Sequence, residues 1–180
     1  MLKSALIVTD IQNDFCEGGS LAVPGTLSII PLINREMRMY DTIVGLQDWH
    51  PADHVSFENL WPPHCIQNTF GAKFHPHLDI RRFSYTIQKG ADSKVDSYSG
   101  FFDNDHKTKT GLHSYLQTKN IGCVFICGVA LRYCVAYTAL DAVQLGYVTY
   151  IIPSLCADID SKSDSASTLN ELKKAGVYIV

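Results

Sequence analysis

Short apolar runs alternate along the chain with stretches of helical periodicity. Ala5 to Val8 is continuous and apolar, the mark of a strand buried on both faces. Thr42 to Leu46, residues 123 to 127 and Tyr147 to Ile152 read the same way, Phe83 to Gln88 alternates, and Val177 to Val180 closes the chain. Between them, Ile29, Ile30, Leu32, Ile33 and Met37 give one apolar face to a helix from about Leu27 to Met39, with Thr26 in place to cap it. Further helices are predicted over Gly111 to Lys119, from about Leu131 to Leu145 with Gly146 at its end, and from about Ser161 to Ala175 ahead of Gly176. Two long segments, 51–83 and 91–110, fit neither period, and loops of that length are more often functional than idle.

Strands alternating with helices predict an α/β fold: a six-stranded, mainly parallel sheet with helices on both faces, α/β/α in three layers. Right-handed crossovers bring all the strand C-terminal ends to one edge, where ligands bind in such folds. The 180 residues suit one domain spanning 1–180, without repeat, linker or low-complexity segment.

Composition narrows the function. A formal net charge of −3 with no basic stripe argues against a nucleic-acid partner. No apolar run approaches the roughly 20 residues that span a bilayer, and the N-terminus reads as a first strand and not as a signal peptide. The six cysteines are scattered without C-x-x-C spacing, so free thiols in a reducing cytoplasm are expected.

The chemistry-bearing residues gather where the strands end. Asp10 follows the first strand, Asp48 and His50 the second and Lys89 the third; the fourth leads through Gly128 to Cys134. Cys134 alone reads first as a small buried hydrophobe, like most free cysteines, and only second as a nucleophile whose thiolate a helix N-terminus favours. Its placement on one rim with a carboxylate and a cation supports the nucleophile. Asp10 would take the thiol proton, with its pKa raised in a desolvated cleft, and Lys89 would hold the charged pair. The N–H groups of Ala130 and Cys134 would form an oxyanion hole, completing a site for acyl transfer through a thioester.

A second signal lies in Asp48-Trp49-His50-Pro51-Ala52-Asp53-His54. In an extended segment, residues 48 and 50 point to the same side. One carboxylate and two imidazoles, with His64 from the same loop, make an O/N metal set of Asp48, His50, His54 and His64. His75, His77, His106 and His113 lack such support and are left as surface residues or neighbours of the site.

Asp10-Ile-Gln-Asn-Asp-Phe15-Cys-Glu-Gly-Gly-Ser, Asp48-Trp-His50-Pro-Ala-Asp-His54, Trp61-Pro-Pro-His64-Cys, Lys89-Gly and Gly128-Val-Ala…Cys134-Val follow one another in this order. Together they resemble the nicotinamidases (pyrazinamidases), cysteine hydrolases with the isochorismatase-like fold, over nearly the whole chain. The resemblance implies hydrolysis of nicotinamide to nicotinate and ammonia in NAD salvage, by a triad of Asp10, Lys89 and Cys134. It implies one divalent metal, usually Zn2+ with Fe2+ or Mn2+ also found, on Asp48, His50, His54 and His64. It makes Phe15 and Trp61 the aromatic residues around the substrate ring and puts a cis peptide before Ala130. The expected partner is a small-molecule substrate, with self-association into a homo-oligomer left open.

The chain departs from the family pattern at Ala130-Leu131-Arg132, where Ala-Thr-Asp is common, and again over Pro153 to Ala157. Two other readings stay open on the residues: an amidohydrolase for another small carboxamide, and a non-catalytic thiol- or metal-binding module. The metal-type residues argue against a metal-free hydrolase, and Asp10 with Lys89 argues against the module.

Overall fold

A computed structural model describes residues 2–159 and 162–180. Its sheet has six strands: β1 (Lys3–Thr9), β2 (Ile43–Asp48), β3 (Tyr85–Lys89), β4 (Ile121–Gly128), β5 (Val148–Cys156) and β6 (Tyr178–Ile179). They lie in the order β3-β2-β1-β4-β5-β6, and every neighbouring pair is parallel. The helices are α1 (Thr26–Glu36), α2 (Ser56–Asn59), α3 (Leu112–Thr118), α4 (Ala136–Gln144) and α5 (Lys162–Lys174). The sequence expectation for α5 begins at Ser161, which lies outside the described residues.

β1 shows why its apolar run is unbroken. Ala5 and Ile7 face one core, where Leu112 and Leu116 of α3, Ala139 and Ala142 of α4, and Leu172 of α5 pack. Leu6 and Val8 face the other, built with Ile29, Ile30 and Ile33 of α1. All four β1 residues are wholly buried, as a central parallel strand requires.

Local details differ from the pattern reading. Thr26 is the first residue of α1 and not its cap: its hydroxyl donates backwards to the Val23 carbonyl at 2.7 Å. Gly25 takes the cap position, and the Glu17 carboxylate accepts the Gly25 and Leu27 N–H groups, both at 3.1 Å. An acid from the preceding loop thus satisfies the orphan amides of α1. The α1 pattern also stops at Glu36 and finishes as a 3₁₀ turn, Met37–Met39. β5 continues past Pro153 to Cys156, with a break in register opposite β4. The helix expected from Leu131 begins instead as a π turn, Leu131–Val135, that leads into α4.

The long 51–83 segment is ordered by the sheet edge. His50 pairs with Ile66 in an isolated parallel bridge, and Gln12 pairs with Phe74 in an antiparallel one. Both bridges pull the loop over the C-terminal ends of β1 and β2.

Candidate active site

Lys89 and Asp48 close their strands as register partners. Residues opposite one another in a parallel pair share a face at roughly 4.8 Å spacing, so the two side chains meet at the rim. Lys89 Nζ bonds to Asp48 Oδ1 and donates to the Ser97 carbonyl at 3.1 Å. It also lies 3.0 Å from Asp10 Oδ2 and 3.4 Å from Cys134 Sγ. One buried ammonium therefore joins both carboxylates and the thiol.

Asp10 leaves β1 with a left-handed φ of 53°, which turns its side chain into this cluster. Cys134 arrives from the other side. At the end of β4, Gly128 has φ 113°, and a Cβ there would strike the Thr9 backbone. Thr9 Oγ1 donates to the carbonyls of Cys127 and Val129, at 2.9 and 3.1 Å, seating the chain as it crosses β1. The Val129–Ala130 peptide is cis. Val129 N–H donates to Thr9 O and Leu131 N–H to Ala157 O, whereas among the described residues no backbone carbonyl receives the Ala130 N–H.

Burial sets the protonation states. Asp10, with no exposure, is raised from 3.8 to about 6 by burial, while Lys89 pulls it down and Asp48 pushes it up. Neither Asp10 oxygen meets a donor in good hydrogen-bonding geometry, so Lys89 acts on it chiefly as a counter-charge. Burial also pushes the Cys134 thiol well above its ordinary value, against the pull of Lys89. Burial thus pushes the thiol towards its protonated form, the direction opposite to the one expected of a helix N-terminus. Burial opposes the charge on Lys89, but Asp10 and Asp48 overcome it and hold the ammonium. Burial likewise opposes the charge on Asp48, yet Lys89 and His50 keep it well below the usual carboxylate range.

Next to this cluster, Asp48, His50 and His64 bring their ligand atoms within 4.8 Å of one another. His50 Nε2 lies 3.6 Å, and His64 Nε2 3.9 Å, from Asp48 Oδ2. His50 Nδ1 donates to the Gly90 carbonyl at 2.9 Å and His64 Nδ1 to the Pro62 carbonyl at 2.8 Å. Those carbonyls fix the tautomer and leave both Nε2 lone pairs aimed at Asp48, the second layer that metal-binding histidines commonly have. Gly90, at φ 64°, leaves room for the His50 ring, which a Cβ would strike. A divalent ion suits this donor set of one carboxylate and two imidazoles. His54 does not join the trio; its ligand atom groups with those of His50 and Asp96.

A pocket opens onto both clusters, with Asp48, His50, His64 and Cys134 in its wall. Phe15 and Trp61 line it, as do Leu21 and Ile159. Trp61 Nε1 donates to the Tyr98 hydroxyl at 3.1 Å, and its ring meets Tyr133 edge-on at 5.1 Å. Tyr98, Tyr133 and Asp96 are pocket residues that the sequence reading did not single out. The available signal was aromatic: Tyr98 interrupts a polar loop, and Tyr133 precedes Cys134.

Arg132 is exposed. Its backbone N–H donates to Asp158 Oδ1 at 3.3 Å, and Asp158 also accepts from Ile159 N–H and Ser165 Oγ, both at 3.0 Å. An acid beside the departing segment thus steadies the nucleophile turn.

The isochorismatase-domain pattern matches residues 4–180. A nicotinamidase of Acinetobacter baylyi is 41% identical over 192 residues, covering 96% of this chain and 90% of that protein. The L. infantum PnC1 structure in complex with nicotinate superposes with a TM-score of 0.95 at 37% identity, covering 99% of this chain and 92% of the other. The Pyrococcus horikoshii pyrazinamidase in complex with zinc gives 0.89 at 37% identity, covering 99% and 98%. The chain belongs to the isochorismatase-domain family, among the nicotinamidases and pyrazinamidases.

Proposed function

We propose that the protein hydrolyses nicotinamide to nicotinate and ammonia through a thioester on Cys134. The observation that carries this reading is the single buried ammonium, Lys89, in reach of Asp10, Asp48 and Cys134 beneath an aromatic pocket. The nicotinate named with the L. infantum structure fits a pocket of this lining.

Asp10 takes the proton from Cys134 as Sγ attacks the carboxamide carbon. Their matched positions matter more than either ordinary pKa, because burial has raised both groups. The N–H groups of Ala130 and Cys134 receive the charge on the carbonyl oxygen. The C–N bond then breaks, and Asp10 returns the proton to the departing nitrogen, which leaves as ammonia. Asp10 next takes a proton from water, whose oxygen attacks the thioester carbon. The C–S bond breaks, nicotinate forms, and the thiol regains its proton. Lys89 keeps Asp10 from becoming a permanently neutral acid and balances the ion pair.

Asp48, His50 and His64 would hold a divalent ion, Zn2+ being the reading that the zinc-bound relative supports. When bound, that ion supplies a Lewis-acid anchor for the ring nitrogen, an orientation effect that brings the amide to the thiol. Phe15 and Trp61 pack the ring between them. We further read the whole chain as one catalytic domain at work in the cytoplasm, in NAD salvage; among the described residues no helix is long and apolar enough to cross a membrane.

The test is ammonia release from nicotinamide, pyrazinamide and unrelated small amides, with metal analysis on the same sample. Cys134→Ala is expected to lose at least roughly 10⁴-fold in kcat while keeping its metal. Full activity in that variant would remove the nucleophile role. Activity that survives chelation in protein free of metal would remove the ion.

A further inference from the structure

Cys134, Thr138 and Asp141 stand at positions i, i+4 and i+7 along the π turn and α4, a spacing that sets all three on one helix face. Thr138 is wholly buried and Asp141 nearly so, and neither has a part in the chemistry above. Buried polar side chains need partners, and both find them in the 91–110 segment. Thr138 Oγ1 accepts the Gly100 N–H at 2.9 Å. Ser99 Oγ accepts the Phe101 N–H at 3.0 Å, which leaves its own hydrogen for the Asp141 carboxylate that it bonds. The exposed His106 ring also faces Asp141, with Nδ1 at 3.9 Å from Oδ1.

The same turn serves Lys89. The ammonium meets two carboxylates, a thiol and the Ser97 carbonyl, and of these only the carbonyl belongs to the backbone. Its place is therefore set by the course of the turn and not by a rotamer. Ser97 Oγ lies 3.2 Å from the carbonyls of Ser99 and Phe102, so Ser97 is tied to the residues that α4 grips. Gly100 lets the turn close on the sheet: a Cβ there would strike the Leu46 side chain.

We propose that Thr138 and Asp141 are positioning residues: from the helix that follows the nucleophile they fix the 97–101 turn, so that the Ser97 carbonyl holds the Lys89 ammonium in reach of both Asp10 and Cys134. Nucleophile and counter-charge are thereby set by one element, α4. This deepens the function proposed above and rests on it.

The test compares Thr138→Val, which keeps the shape and loses the acceptor, with Thr138→Ser, which keeps the acceptor. Thermal melts check that each variant folds, and assays run well below the lowest melting temperature. Thr138→Val should lose about 10–100-fold in kcat for nicotinamide, with KM changed by less than about threefold. Thr138→Ser should stay within about threefold of wild type in both constants. Asp141→Asn, whose amide oxygen still accepts from Ser99, should likewise outperform Asp141→Leu. Thr149, as buried as Thr138, donates to the Tyr147 carbonyl of its own strand entry, and Thr149→Val should keep kcat within about twofold. An equal kcat loss in Thr149→Val, or in Thr138→Ser, would make the effect general to the fold and overturn the proposal. Iodoacetamide labelling of Cys134, followed by mass spectrometry, reads the same point without a substrate. Losing Lys89 from beside the thiol should slow labelling of Thr138→Val at least about threefold, whereas mere loosening of the turn would speed it. Labelling as fast as wild type or faster would overturn the proposal. Wild-type protein that releases no ammonia from nicotinamide would fail the proposed function, and the labelling rates would still decide the positioning role.

Discussion

Replacing Lys89 with methionine keeps the length of the side chain and removes the one charge that two buried carboxylates share. Lys89 is 1% exposed, Asp10 is not exposed, and Asp48 is 4% exposed, so water replaces little of what is lost. Breaking a buried ion pair from one side costs about 3–5 kcal/mol. For a chain of this size, about 2–4 °C per kcal/mol converts that to a melting-temperature drop of roughly 6–20 °C. The pH dependence carries the sign. In the wild type, the folded Asp10 holds its proton up to about 6, against 3.8 ordinarily. The folded form thus loses stability as pH rises from 3.8 to about 6, and this loss then levels off. Without Lys89, the carboxyl is raised further and the loss continues to higher pH. The gap between variant and wild type should therefore widen above pH 6. Differential scanning calorimetry at pH 5 and pH 8, in the same metal-supplemented buffer, reads both quantities. A variant melting within about 2 °C of wild type at pH 8, or a gap no wider there than at pH 5, would refute the reasoning.

Asp10 must be ionised to accept the thiol proton, so kcat/KM should fall below an acid limb near its value of about 6; a limb near 4 would show that burial does not govern it. Asp10→Asn should lose roughly 10³–10⁴-fold in kcat, measured by ammonia release. Gln12 is wholly buried, donates to the Asp48 and Ala72 carbonyls and accepts from the Asp48 N–H, all at 2.8 Å. Gln12→Leu leaves both polar groups of the Asp48 peptide unpaired and should cost about 2–5 kcal/mol in urea denaturation, with weaker metal binding.

The pattern of apolar runs by itself determined the layered architecture and the rim on which Asp10, Asp48, Lys89 and the Cys134 turn gather. A buried parallel strand has to be continuously apolar, and right-handed crossovers leave one edge for polar residues. Strand ends are local signals, legible in one pass. Tertiary packing decided what local signals cannot carry. The register pairing of Asp48 with Lys89 made one ammonium serve two carboxylates. Glu17 displaced Thr26 as the source of capping for α1, because the folded loop brings a full charge to the orphan amides. The depth of Cys134 pushes its thiol up, which no local signal in the sequence carries. Most of all, His54 reads like His50 in sequence, an imidazole four residues on. Only the fold sets a backbone N–H against one ring nitrogen and Asp96, 42 residues away by number, across from the other.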